Sequence, residues 1–71
     1  MKFFAGDWVE IAGFREGGPN SHLNGVTGTV RSASKQWEDV YSIKAEDNNT
    51  KFQVKWTKLR LKARPVTARY L

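Results

Sequence analysis

Apolar and polar residues alternate at every second position in five short segments of the chain. Side chains of a β-strand point in turn to the two faces of a sheet, so this pattern predicts strands with one buried and one exposed face. We place the strands at residues 7–14, 25–32, 39–45, 50–56 and 59–64.

The segments between these strands carry turn-forming residues. Residues 13–22 form a long polar loop rich in glycine, 33–38 form a connector that carries Trp37, and 46–49 form a tight Glu-Asp-Asn-Asn turn. Asp and Asn tolerate the left-handed backbone that tight turns need. Pro65 ends the fifth strand because proline cannot donate a hydrogen bond to a neighbouring strand.

Two glycines lie at the start of the second predicted strand. We expect Gly25 to supply a turn conformation. We expect Gly28, which shares a face with Val26 and Val30, to let another strand or a bulky ring pack closely.

The order of these elements predicts an all-β fold. Five short strands with a long first loop and a tight late hairpin indicate a small five-stranded barrel, since closure removes exposed sheet edges. We assign residues 1–64 to the barrel and 65–71 to a short basic C-terminal tail. A chain of this size buries only roughly 60% of its unfolded surface. Because it has no cysteine, its stability must come from apolar packing.

Three segments resemble an SH3-like barrel of the KOW type: GDWVEI at 6–11, LNGVTGTV at 23–30 and LRL at 59–61. The resemblance covers about residues 5–63. Barrels similar to these occur in ribosomal proteins, in transcription elongation and antitermination factors and in the C-terminal DNA-binding domains of integrases. They also occur in small accessory subunits of photosynthetic electron-transfer complexes, where acidic ferredoxin docks. The loop at 13–22 is longer than the usual KOW loop and closer to that of the photosynthetic subunits.

Acids and bases are segregated along the chain. Residues 1–50 hold all seven acids against five bases, whereas residues 51–71 hold seven bases and no acid, within a net charge of +5. Crowded like charges oppose compaction, so a cationic face of this kind is typical of a surface that meets an anionic partner.

The bases of the last two predicted strands repeat with a period of two, opposite the apolar residues Phe52, Val54, Trp56, Leu59, Leu61 and Ala63. We expect the apolar set to line the barrel interior and the basic set to point outward. The candidate contacts to nucleic acid or to an acidic partner are Lys51, Lys55, Lys58, Arg60, Lys62 and Arg64, with Arg31 and Lys35 on the rim. The alternative is a solubilising surface, since outward lysines also discourage edge pairing.

Two tryptophans are candidates for stacking. Trp8 is out of phase with the apolar residues Val9 and Ile11, and Trp37 lies in a connector beside Lys35. An exposed aromatic ring near bases can stack a nucleobase. The alternative is that these rings cap the open ends of the barrel.

The sequence favours a non-enzymatic binding module. His22 is the only histidine, and it has no cysteine to pair with, so we expect no catalytic residue, no metal site and no cofactor. The leading hypothesis is binding of RNA or single-stranded DNA, with phosphates on the basic face. The alternative is a small accessory subunit that docks an acidic protein in an electron-transfer, ribosomal or transcription complex.

The sequence also indicates where the protein acts. No apolar run approaches the roughly 18 residues of a membrane span, and the first residues lack the apolar core of a secretory signal. Because cysteine is absent, we expect a cytoplasmic protein. We expect it to act as a monomer or as a subunit of a larger complex, without a membrane partner or a small-molecule substrate.

Overall fold

A computed structural model describes residues 3–69, which form one antiparallel sheet. The strands are β1 (Trp8–Ile11), β2 (Thr27–Ala33), β3 (Val40–Ala45), β4 (Lys51–Lys55) and β5 (Leu59–Ala63). Short 3₁₀ turns occupy Ser21–Leu23 and Trp56–Lys58. The prediction of an all-β chain with five strands is therefore confirmed. Within residues 3–69 no helix is long and apolar enough to cross a membrane.

The strands lie side by side in the order β4-β3-β2-β1-β5. Each hydrogen-bonded neighbour runs antiparallel to the next. β4 and β5 are thus the two edge strands, although only the three residues Trp56–Lys58 join them.

The core lies on one face of this sheet. Its buried residues come from all five strands and the N-terminal segment: Phe3, Val9, Ile11, Val30, Tyr41, Ile43, Val54 and Leu59. The rings of Phe3 and Tyr41 meet edge to face, with centroids 5.3 Å apart. The inward positions predicted for the first four strands match this core.

Gly28 allows β2 and β3 to approach closely. A Cβ atom built at this position would collide with the carbonyl oxygen of Lys44 and would lie 2.9 Å from Ile43 Cγ2. The expected role of Gly28 is confirmed. Gly25 has φ +88°, so the turn conformation expected there is confirmed as well.

The turn at 46–49 closes the β3–β4 hairpin. Asn49 adopts the left-handed conformation with φ 58°. Asn48 Oδ1 accepts a hydrogen bond from the Thr50 amide at 3.0 Å. Both features agree with the turn predicted from the Asp and Asn residues.

The burial predicted for Leu61 and Ala63 is wrong. Leu61 lies opposite Val9, but it is on the edge strand and 47% of it is exposed. The register between β1 and β5 also shifts between Trp8 and Val9, which places Ala63 opposite the outward residue Trp8. The extra residue is Lys62, which turns Ala63 outward. Because Leu61 is exposed at the edge, only Leu59 of β5 enters the core.

The predicted tail folds back onto the N-terminal segment. Ala5 and Arg69 exchange two backbone hydrogen bonds of 2.7 and 2.8 Å in an isolated antiparallel bridge. Arg69 is therefore tied to the N-terminal segment, whereas Val66 is fully exposed. Tyr70 and Leu71, the last residues of the predicted tail, lie outside the described residues.

Candidate ligand-binding face

The sheet has a polar face opposite the core, which we call the outer face. Burial along the strands defines it, because inward residues are buried while their neighbours are exposed or half-buried. Its residues include Trp8, Glu10, Thr27, Thr29, Ser42, Lys44, Lys51, Gln53, Lys55 and Arg60.

One line of outer-face residues crosses four strands. Trp8 lies opposite Thr29, Thr29 opposite Lys44, and Lys44 opposite Lys51. We call these four residues the outer row. Directly opposed residues have Cβ atoms about 4.5–5.5 Å apart, so the row brings an aromatic ring and two ammonium groups onto one patch.

The two lysines of the outer row face each other at close range. The adjoining backbone bond from the Ala45 amide to the Thr50 carbonyl, 2.8 Å, places Lys44 and Lys51 at a non-hydrogen-bonded position, where side chains approach most closely. Within residues 3–69 neither lysine is within ion-pair distance of a carboxylate. Like charges directly opposed across a sheet are unfavourable, so this pair costs the free protein stability.

The sequence analysis missed Lys44. Lys44 lies on β3, ahead of the acidic turn and outside the acid-free final segment that indicates the basic face. The signal was present in the hairpin itself. A turn at 46–49 pairs positions 44 and 51, and both are lysine.

Trp8 is held in a fixed orientation at the other end of the row. Its indole Nε1–H donates to Glu46 Oε2 at 3.3 Å, and the same oxygen accepts the Thr27 hydroxyl at 2.8 Å. The residue remains 40% exposed, as expected for an aromatic residue on the polar face. The ring is thus oriented while part of it stays accessible.

Glu10 of β1 offsets bases of β5. Lys62 Nζ lies 3.5 Å from Glu10 Oε1, and Arg60 is directly opposite Glu10 in the register. The separation of charge along the sequence is therefore partly cancelled where these two strands pair.

Arg64 is engaged in a structural contact. Its Nε and Nη2 donate to the two carboxylate oxygens of Asp7, each at 2.8 Å, and the Phe4 amide donates to Asp7 Oδ2 at 2.8 Å. The guanidinium also lies 3.9 Å from the centre of the Phe4 ring. The side chain of Asp7 is fully buried, whereas that of Arg64 is 36% exposed.

The protonation of this pair follows from its geometry. Burial alone would raise the pKa of Asp7, but the hydrogen bonds from Arg64 and Phe4 and the positive charge of Arg64 outweigh it, so the pKa lies below its usual value. The hydrogen bond to Asp7 raises the pKa of Arg64. The pair is charged at neutral pH, and the Nε and Nη2 donors of Arg64 are already bound to Asp7.

Lys58 anchors the long first loop. Its Nζ donates to the Gly13 carbonyl at 2.9 Å and lies 5.4 Å from the centre of the Phe14 ring. Asn24 closes the same loop by bonding to both the amide and the carbonyl of Phe14, at 3.0 and 2.9 Å. Lys58 therefore stabilises the base of the loop through its hydrogen bond to Gly13.

The remaining predicted residues lie towards another end of the sheet. Lys55 is opposite Val40, where β3 begins, and Lys35 and Trp37 lie in the preceding connector. Trp37 is 57% exposed. Arg31 is exposed at the register shift of β2. The predicted residues thus fall into three groups: the outer row, the β2–β3 end and the β5 edge.

In comparison with known proteins, no protein-family model, no curated protein and no solved structure matches the chain.

Proposed function

We propose that this chain is a non-enzymatic module of the SH3-like, KOW-type barrel class that binds RNA or single-stranded DNA through its outer face. The observation that carries the proposal is the pair of uncompensated lysines on the same row as an exposed, oriented tryptophan. Ammonium groups bind phosphates, and an aromatic face stacks bases of any sequence.

The short link between β4 and β5 supports the barrel. Flat sheets space neighbouring strands by about 4.8 Å, so the two edges of a flat five-stranded sheet would lie about 19 Å apart. The 3₁₀ turn Trp56–Lys58 rises only about 2 Å per residue, which brings Lys55 and Leu59 within about 8 Å. The edge strands therefore converge at this corner, which requires a strongly curled sheet.

The predicted phosphate contacts differ in whether the base already has a partner within the protein. Lys51, Lys55, Arg60, Arg31 and Lys35 are exposed and are candidates for phosphate contact. Lys58 and Lys62 must first break their contacts with Gly13 and Glu10. We assign no phosphate contact to Arg64, because its guanidinium is bound to Asp7. Contacts to phosphate fix position without reading bases, so we expect weak sequence preference.

The test is a salt titration. Fluorescence anisotropy with a labelled single-stranded oligonucleotide should show affinity falling with salt, and four phosphate contacts predict a log–log slope of about −2.8. A flat response, or no binding at low salt, would contradict the proposal. Poly-glutamate serves as the second ligand: binding to it alone would favour the alternative of an acidic protein partner.

A further inference from the structure

We infer that the outer row is the nucleotide site of this surface, with a phosphate held between Lys44 and Lys51 and the neighbouring base stacked on Trp8. This inference rests on the proposed function and narrows it. It assigns a role to Lys44 and places the oligonucleotide across the strands, from β4 towards β1.

Electrostatic repulsion between Lys44 and Lys51 favours an anion between them. Lys44 and Lys51 are directly opposed at the closer type of pair, and within the described residues no carboxylate neutralises them. A phosphate between the two ammonium groups changes an unfavourable contact into two charge-assisted hydrogen bonds. Lys62 and Arg60 lack this gain because they lie against Glu10. Lys55 lacks it because it is opposite Val40 and not opposite another base.

The distance between Lys44 and Trp8 fits the size of one nucleotide. Trp8 and Lys44 are separated by one intervening strand, which corresponds to about 10 Å between their backbones. Both side chains are long and both project from the same face, so their ends can contact adjacent parts of one nucleotide. The intervening residue is Thr29, whose small side chain leaves the space between them open.

The indole ring of Trp8 is already oriented in the free protein. Glu46 receives the indole N–H of Trp8 and is itself fixed by Thr27. A ring that is already oriented loses little conformational entropy when a base stacks on it. The same carboxylate keeps negative charge at the Trp8 end of the row, so the phosphate is directed to the lysine end.

The experiment compares two double variants that remove the same charge. Lys44→Gln with Lys51→Gln alters the row, whereas Arg15→Gln with Arg69→Gln removes two exposed bases elsewhere. We measure affinity for an eight-nucleotide thymidine oligomer over a range of salt. The row variant should lower affinity at least about tenfold and, because one phosphate contact is lost, reduce the magnitude of the salt slope by about 0.7. The control should change affinity less than threefold.

Stacking is tested by measuring the affinity of Trp8→Ala for the thymidine oligomer and for an abasic oligomer of the same length. Trp8→Ala should weaken binding of the thymidine oligomer about fivefold or more, because loss of a stacked base costs that much in single-strand binders. The same change should leave binding of the abasic oligomer within twofold. Thermal melting of each variant checks that the fold is intact.

The outcomes separate the two proposals. If the unaltered protein binds no oligonucleotide, the proposed function fails and the inference fails with it. If it binds, but the row variant behaves like the control, the inference is overturned while the proposed function stands. Equal loss of the thymidine and abasic oligomers on Trp8→Ala would overturn the stacking assignment.

Discussion

Replacing Asp7 by Asn removes the buried charge while keeping the shape of the side chain. The carboxylate accepts three hydrogen bonds of 2.8 Å, two of them from a guanidinium. An amide has one acceptor oxygen, so its NH₂ group must face a donor. Hydrogen bonds to charged groups contribute about 1.5–3 kcal/mol, and the partial exposure of Arg64 places the loss towards the lower end, at about 2 kcal/mol.

The expected loss is large for a domain of this size. Stabilities of about 0.05–0.15 kcal/mol per residue imply a total of about 4–10 kcal/mol here. A loss of about 2 kcal/mol lowers the melting temperature by about 8–16 °C. Urea unfolding followed by tryptophan fluorescence measures the change directly.

The pH dependence tests the same contact independently. Because the pKa of Asp7 is lower in the folded state, the unfolded state binds more protons as acid is added. The stabilisation from this carboxylate is therefore complete above its unfolded pKa and is lost as the pH falls through its folded pKa. Asp7→Asn should flatten the stability profile across that acidic range.

Glu10→Gln provides the matched control, since it removes an acid from an exposed ion pair with Lys62. Exposed pairs contribute about 0–1 kcal/mol, so we expect a change below about 1 kcal/mol. If Asp7→Asn costs no more than this control, or if its acid profile matches that of the unaltered protein, our account of the buried pair is wrong.

Three further predictions follow from the packing, each measured by urea unfolding. Gly28→Ala should cost at least about 2 kcal/mol, because the added methyl collides with backbone; a neutral result would contradict the close approach of β2 and β3. Leu59→Ala should cost about 2–4 kcal/mol and Leu61→Ala less than about 1 kcal/mol; equal costs would contradict the exposure of Leu61. Lys51→Gln should stabilise the free protein by about 0.2–1 kcal/mol at low salt by relieving its repulsion with Lys44, and a gain that persists in high salt would exclude that cause.

Local patterns were sufficient to predict the strands. The alternation around Tyr41 and Ile43, the Asp and Asn turn, and the two glycines each depend on neighbouring residues, and the structure agrees with all of them. A half-buried strand shows its two faces in its own sequence.

The candidate site could not be predicted in the same way, because it depends on which strands are neighbours. Glu10 and Asp7 offset bases that lie more than fifty residues later, and only the pairing of β1 with β5 reveals this. The bulge that places Ala63 opposite Trp8 leaves no sign in the alternation of the fifth strand. Lys44 could have been found from the hairpin register, since that pairing is local.

The bridge between Ala5 and Arg69 brings the two ends of the described chain side by side, which makes the domain a good candidate for circular permutation. New ends could be cut at the exposed loop tip near Gly17, and a short linker could join the old ones. Asp7 and Arg64, now 57 positions apart, would then be only 14 positions apart plus the linker. The pairing of β1 with β5 would become local and that of β1 with β2 long-range, so the permuted chain should keep the same sheet but form these two pairings in the opposite order.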